Sequence, residues 1–140
     1  MEIVSFEISK KLKEKGYTQD ITRHNAWYAT AHYKNSCLGE YFEGELTPIG
    51  EYGDKINALH IIEVENKGVV APTISQVLKW LREEKRIEVN ACWDNIDAQW
   101  IGYASEMDKP DLVGYYTSID YDSYEQATLA GIEYVLDNLI

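Results

Sequence analysis

Few residues in this chain could do chemistry, and their spacing argues against most of it. There are two cysteines, Cys37 and Cys92, and three histidines, His24, His32 and His60. A thiol nucleophile needs a histidine beside it in space. No motif around either cysteine predicts such a pair, and neither belongs to a CxxC or Cys/His cluster of the kind that holds zinc. His24 and His32 are eight residues apart, too far on one strand to share a metal. Two acidic groups, Asp94 with Asp97 and Asp120 with Asp122 and Glu125, carry oxygen donors suited to Ca²⁺ or Mg²⁺. Neither has the ligand number or the fixed glycine of an EF-hand loop. Turn and helix-cap roles account for the same acids without a metal. Gly50-Glu51-Tyr52-Gly53 is neither a P-loop nor a dinucleotide fingerprint. The reading therefore assigns no catalytic residue, no metal and no cofactor. It favours a protein that is not an enzyme.

Charge narrows the partners. The chain has 140 residues, 24 Asp/Glu and 13 Lys/Arg, a formal net charge of −11. The imbalance is concentrated, since residues 94–140 contain ten acids and one lysine. Phosphate contacts need a basic face, so nucleic acid is excluded as a sequence-independent partner. Anionic membranes are excluded for the same reason. A basic protein partner is the complement. The run Lys10, Lys11, Lys13 and Lys15 is the one basic cluster. It reads as a solvated last helical turn that complements the helix dipole.

Length and composition suit one domain over 1–140 with a real hydrophobic core, since 45% of the residues are hydrophobic. No apolar run approaches bilayer length, and the N-terminus lacks the basic and apolar regions of a signal peptide. The expected location is the cytoplasm. In such a compartment isolated cysteines are expected as buried small apolar residues. Eleven tyrosines and four tryptophans against two phenylalanines suit half-covered sheet faces or a binding surface.

The elements that must position these residues follow from periodicity. Ser5 to Lys15 predicts a helix capped by Ser5, with Ile8 and Leu12 on one face and Gly16 at its end. Residues 26–33 alternate as a strand, with Lys34-Asn35-Ser36 as a turn and Cys37 to Phe42 returning as a hairpin. Glu43 to Ile56, with Pro48, Gly44, Gly50 and Gly53, predicts a long loop. Ala58 to Glu65 is a strand candidate that also fits a helical face in part. Thr73-Ile74-Ser75-Gln76 is a capping box that opens a helix with Ile74, Val77, Leu78 and Leu81 inward. Ile87 to Trp93 and Ala98 to Ser105 alternate as strands around the turn Asp94-Asn95-Ile96-Asp97. Leu112 to Tyr121 predicts a third strand. Ser123-Tyr124-Glu125-Gln126 caps a final helix, in which Ala127, Ala130 and Gly131 allow close approach to the sheet. The expected fold class is α+β: an antiparallel sheet with an αβββα C-terminal unit and an N-terminal helix plus hairpin.

Three blocks carry a resemblance. They are Ser5-Phe6-Glu7-Ile8 with Lys11-Leu12-Lys13-Glu14-Lys15-Gly16-Tyr17, then Ala71-Pro72-Thr73 with Lys79-Trp80-Leu81-Arg82-Glu83, and Ser123-Tyr124-Glu125-Gln126-Ala127 with Ala130-Gly131-Ile132. Together they resemble a family of uncharacterised small proteins carried by bacterial prophages and mobile elements. The resemblance implies a phage-linked intracellular setting and no particular chemistry. Tyr33 to Gly68 lies outside it.

The functional expectation is an accessory protein that acts by binding, to a host or phage protein. The contact residues expected are Tyr41, Phe42, Glu51 and Tyr52, in and beside the 43–56 loop. The alternative is a small-molecule or nucleotide binder, or a weak hydrolase, with a pocket ringed by Trp93, Trp100, Tyr103 and His32. A third reading is a homo-oligomer that buries an aromatic sheet face.

Overall fold

Ser5 opens the first helix, α1 (Phe6–Glu14), by accepting a hydrogen bond from the Ile8 amide at 3.2 Å. This is the expected N-cap. Ile8 and Leu12 are buried, and the chain leaves the helix through Gly16 at φ +91°. The computed structural model describes residues 2–50, 54–109, 114–117 and 120–140. Four α-helices and three antiparallel sheets lie among them, an α+β fold. The chain divides into two compact units, Met1–Thr73 and Ile74–Ile140.

In the first unit the expected 26–33 strand is split. Strand β1 (Ala26–Ala29) ends before Thr30, and β2 (Tyr33–Asn35) starts a separate two-stranded hairpin with β3 (Gly39–Tyr41). The turn lies at Ser36 to Leu38 rather than 34–36, because the Asn35 Oδ1 accepts from the amides of Cys37 and Leu38 at 2.8 and 3.3 Å. That is an Asx turn, which places the reversal after the asparagine. β1 instead lies centrally between β4 (Leu46–Pro48) and β5 (Gly68–Val70). All four of its residues are buried, so alternation within it marks two covered faces rather than one. β4 falls inside the segment expected to be loop. Pro48 suits an edge strand, where a missing amide costs no ladder bond. The rest of that segment includes Glu51 to Gly53, outside the described residues.

Residues 58–64 are helical, following the partial helical fit of that segment rather than a strand. Helix α2 (Asp54–Leu59) runs into one π-helical turn, His60–Val64. Ala58, Ile61 and Ile62 are buried, at i, i+3 and i+4 spacing, which wins over the short alternation. Asn66, at φ +54°, turns the chain into β5. The Lys13 ammonium donates to the Asn66 Oδ1 at 2.5 Å and lies 3.4 Å from the Gly68 carbonyl. Lys13 is thus pinned in place rather than part of a solvated lysine face. Its partial burial lowers its pKa.

The second unit has the expected αβββα order. Helix α3 (Ile74–Glu84) buries Val77 and Leu81. Strands β6 (Ile87–Asp94) and β7 (Gln99–Glu106) pair over eight residues, from Ile87 opposite Glu106 to Asp94 opposite Gln99. The described part of the third strand is β8 (Tyr115–Tyr116), with a bridge from Tyr121 to Trp100. Pro110 to Val113, Ser118 and Ile119 lie outside the described residues. Helix α4 (Tyr124–Asn138) is capped by the Ser123 Oγ, which accepts from the Gln126 amide at 3.1 Å.

Ile87, Val89 and Ala91 of β6 are buried while Glu88, Asn90 and Cys92 are not, so one sheet face is covered. α4 covers it at very close range. A Cβ at Gly102 would stand 2.5 Å from the Ala127 carbonyl oxygen, and one at Gly131 would stand 2.9 Å from Val89 Cγ1. Gly102→Ala is expected to destabilise the protein by about 1–3 kcal/mol through overpacking against backbone, measured by urea denaturation. Ser9, buried in α1, has a hydroxyl with no hydrogen-bond partner among the described residues. Ser9→Ala is expected to leave stability unchanged or raise it by up to about 1 kcal/mol in the same assay.

Candidate functional site

Each histidine is engaged, and none with a thiol among the described residues. His24 is 5% exposed. Its Nδ1 lies 2.6 Å from the Asp20 carbonyl and its Nε2 2.9 Å from the Tyr17 hydroxyl. A carbonyl only accepts, so Nδ1 carries the proton and Nε2 accepts from Tyr17. Burial lowers the His24 pKa, and it pushes the Tyr17 hydroxyl up to about 12. The pair is a buried neutral lock between the end of α1 and the 3₁₀ turn at Ile21–Arg23. His32 Nε2 meets Glu40 Oε1 at 3.0 Å, and its ring stacks on Phe42 at 5.1 Å. His60 Nε2 lies 3.3 Å from Glu65 Oε1 across the π turn. Cys37 is exposed in the β2–β3 turn, and Cys92 is half-buried on the uncovered face of β6. Neither is the fully buried apolar residue expected.

The expected contact residues divide. Phe42 is 57% exposed, with His32 against it. Tyr41 is half-buried and packs on the buried Trp27 ring at 5.1 Å, so it supports the hairpin from below. Glu51 and Tyr52 lie outside the described residues. The expected aromatic ring of Trp93, Trp100, Tyr103 and His32 is not one site. Trp93 pairs directly with Trp100, while Tyr103 is three residues along the strand from Trp100 and so points to the opposite face. His32 is occupied by Glu40 and Phe42.

The end of the β6–β7 hairpin brings together what is scattered along the sequence. Asp94 lies at the end of β6, Asp97 in the turn, and Asp120 just before the Tyr121 bridge. One carboxylate oxygen from each lies within 4.8 Å of those of the other two. The Asp94 Oδ1 also accepts from the Ile96 amide at 2.9 Å, the turn role expected of it. Hydrogen bonding with Asp97, followed by desolvation and the charges of Asp94 and Asp97, raises the Asp120 pKa. Like charges this close disfavour full ionisation. The described ion pairs of this unit, Arg86–Asp108 and Lys109–Glu106, belong to the other end of the ladder, about 24 Å away at strand rise. Three carboxylates offer oxygen ligands to a hard divalent cation, though Ca²⁺ takes six to eight. They also suit an ammonium or guanidinium group.

Beside the carboxylates is an aromatic group. Trp93 and Trp100 meet edge to face at 5.2 Å, and Trp100 meets Tyr124 at 5.3 Å. The Tyr124 hydroxyl donates to the Asn90 Oδ1 at 2.9 Å. Trp93 is 49% exposed and Ile96, at the turn, is 93% exposed. No family model, curated protein or solved structure matches the chain. No helix among the described residues is long and apolar enough to cross a membrane.

Sequence reasoning grouped Asp94 with Asp97, Asp120 with Asp122 and Glu125, and Trp93 with Trp100. It missed their convergence and gave Ile96 only a turn role. An isoleucine inside Asp94-Asn95-Ile96-Asp97 was the available signal, because apolar residues are unusual at the tip of an exposed turn.

The buried Tyr17–His24 lock predicts a stability optimum between two limits. Below about pH 6.5 the unfolded chain binds a proton that folded His24 resists, so stability falls as the pH drops. Above about pH 10 the unfolded chain releases a proton that folded Tyr17 keeps, so stability falls again up to about 12. Tyr17→Phe is expected to flatten the alkaline limb, and thermal melts across pH measure both limbs.

Proposed function

We propose that this protein acts by association, as an accessory protein in a phage or mobile-element setting, and that it binds a basic protein partner in the cytoplasm. The observation that carries this reading is the convergence of Asp94, Asp97 and Asp120 at one hairpin end. The described ion pairs of the same unit, Arg86–Asp108 and Lys109–Glu106, lie at the other end of the β6–β7 ladder. Residues 74–140 contain thirteen acids and five Lys/Arg, and four of those five precede Ile87. A surface of this kind steers a basic partner and repels nucleic acid and anionic lipid. The setting rests on the resemblance of the helix-cap and core blocks to prophage-carried proteins.

Affinity capture from host lysate at graded salt tests the reading. The captured partner is expected to be basic and to elute as salt rises from about 0.05 to 0.5 M, because the Debye length shrinks well below 10 Å. Asp94→Asn, Asp97→Asn and Asp120→Asn combined are expected to weaken capture by about tenfold. The fold should persist, since the change removes mutual repulsion. A partner retained equally by this variant, or insensitive to salt, would rule out the acidic hairpin end as the binding surface.

A further inference from the structure

α4 covers the sheet only as far as its first turn. Ala127 lies over Gly102 and Tyr124 against Trp100, and the covered face then continues past the helix to Trp93. Cross-strand pairing holds Trp93 against Trp100, so its ring is fixed on one side and open on the other. Ile96 extends this apolar end onto the turn. Half-open Trp93 and nearly naked Ile96, three residues on in the turn, leave apolar surface uncovered among the described residues. Asp94 and Asp97 flank Ile96 in the chain, and Asp120 meets them in space.

The charge on this end selects the occupant. A second copy docking through the same patch would bring two carboxylate triads together, and like charges facing each other oppose association. A segment with alternating apolar and basic side chains satisfies both parts. Its cations meet the triad, and an arginine stacks on the open indole face.

We infer that the end of the β6–β7 hairpin is a docking surface for a basic, partly apolar peptide segment of a protein partner, with Trp93 and Ile96 receiving its apolar side chains and Asp94, Asp97 and Asp120 its cations. This rests on the basic-partner reading above and adds the apolar half of the interface and the side chains that make it.

The test measures fluorescence anisotropy of labelled synthetic peptides with the full chain at low salt. The probes are an arginine–leucine alternating octapeptide, octa-arginine, and the glutamate–leucine counterpart. The expected order is arginine–leucine tightest, octa-arginine weaker, and no binding by the glutamate peptide. Ile96→Ser is expected to weaken binding of the arginine–leucine peptide by about tenfold, the scale of truncating one apolar side chain buried at an interface. Its exposure means the thermal midpoint should not move. Trp93→Ala should weaken binding of the same peptide further, and Asp97→Asn with Asp120→Asn should weaken binding of both arginine peptides. Unchanged affinity in Ile96→Ser and Trp93→Ala would overturn the docking surface. If Asp97→Asn with Asp120→Asn still bound more weakly, the basic-partner reading would survive. Failure of both arginine peptides to bind overturns the surface. The salt-graded capture then decides the broader reading separately. A concentration-dependent dimer in light scattering that Ile96→Ser abolishes would assign the patch to a second copy and overturn the inference.

Discussion

The direct contact of α4 with the sheet, through Gly102 beneath Ala127 and Gly131 over Val89, governs the C-terminal unit. With no side chain at Gly102 or Gly131, the helix closes on the sheet, with the Ala127 carbonyl over Gly102 and the Val89 side chain under Gly131. Val135, Ile132 and Leu136 are fully buried on the helix that makes this approach. The same closeness sets where coverage stops. Tyr124 begins the helix one position after its cap and meets Trp100, so the paired Trp93 is left half open. The candidate binding surface is what remains of a core face once the helix has ended.

Charge acts on that remainder. A Lys or Arg near Asp94, Asp97 and Asp120 would have closed the triad as a surface ion-pair network, worth little to stability. Two of the unit's cations, Arg86 and Lys109, are paired about 24 Å away at strand rise. The raised Asp120 pKa reflects a hydrogen bond to Asp97 and carboxylates that resist sharing one place. An incoming cation relieves that repulsion, which is a gain realised only on binding. In the N-terminal unit polar groups have the opposite role. Lys13, Tyr17, His24 and the Asn35 side chain are used to hold turns and helix ends in place. The Phe42–His32 stack with Glu40 is its exposed counterpart.

Legibility differed between the two halves for a physical reason. From Thr73 onward each element is bounded by a cap or turn and shows one clear period. Helix α3, the β6–β7 hairpin and α4 were therefore readable, with Ser123 as cap and Gly131 as the close-approach residue. Between Ala26 and Glu65 the signals compete. β1 is covered on both faces, so alternation says little about its partners, and it pairs with β5 and with β4, which lies in a segment read as loop. Ala58, Ile61 and Ile62 fit both periods, and burial chose the helix. Of the expected contact residues, Tyr41 proved to support Trp27 and Phe42 to be exposed, which neither residue type nor spacing distinguishes.

By itself the sequence determined the α+β class, the αβββα order, the helix caps and an acidic C-terminal third, because these depend on neighbours a few residues away and on composition. Only the tertiary structure decided that Asp120 joins Asp94 and Asp97, that Trp93 and Tyr103 face apart, and that His24 is spent on Tyr17. Those outcomes depend on strand register and on how far a helix extends over a sheet. They are long-range distances, and no local pattern of residues records them.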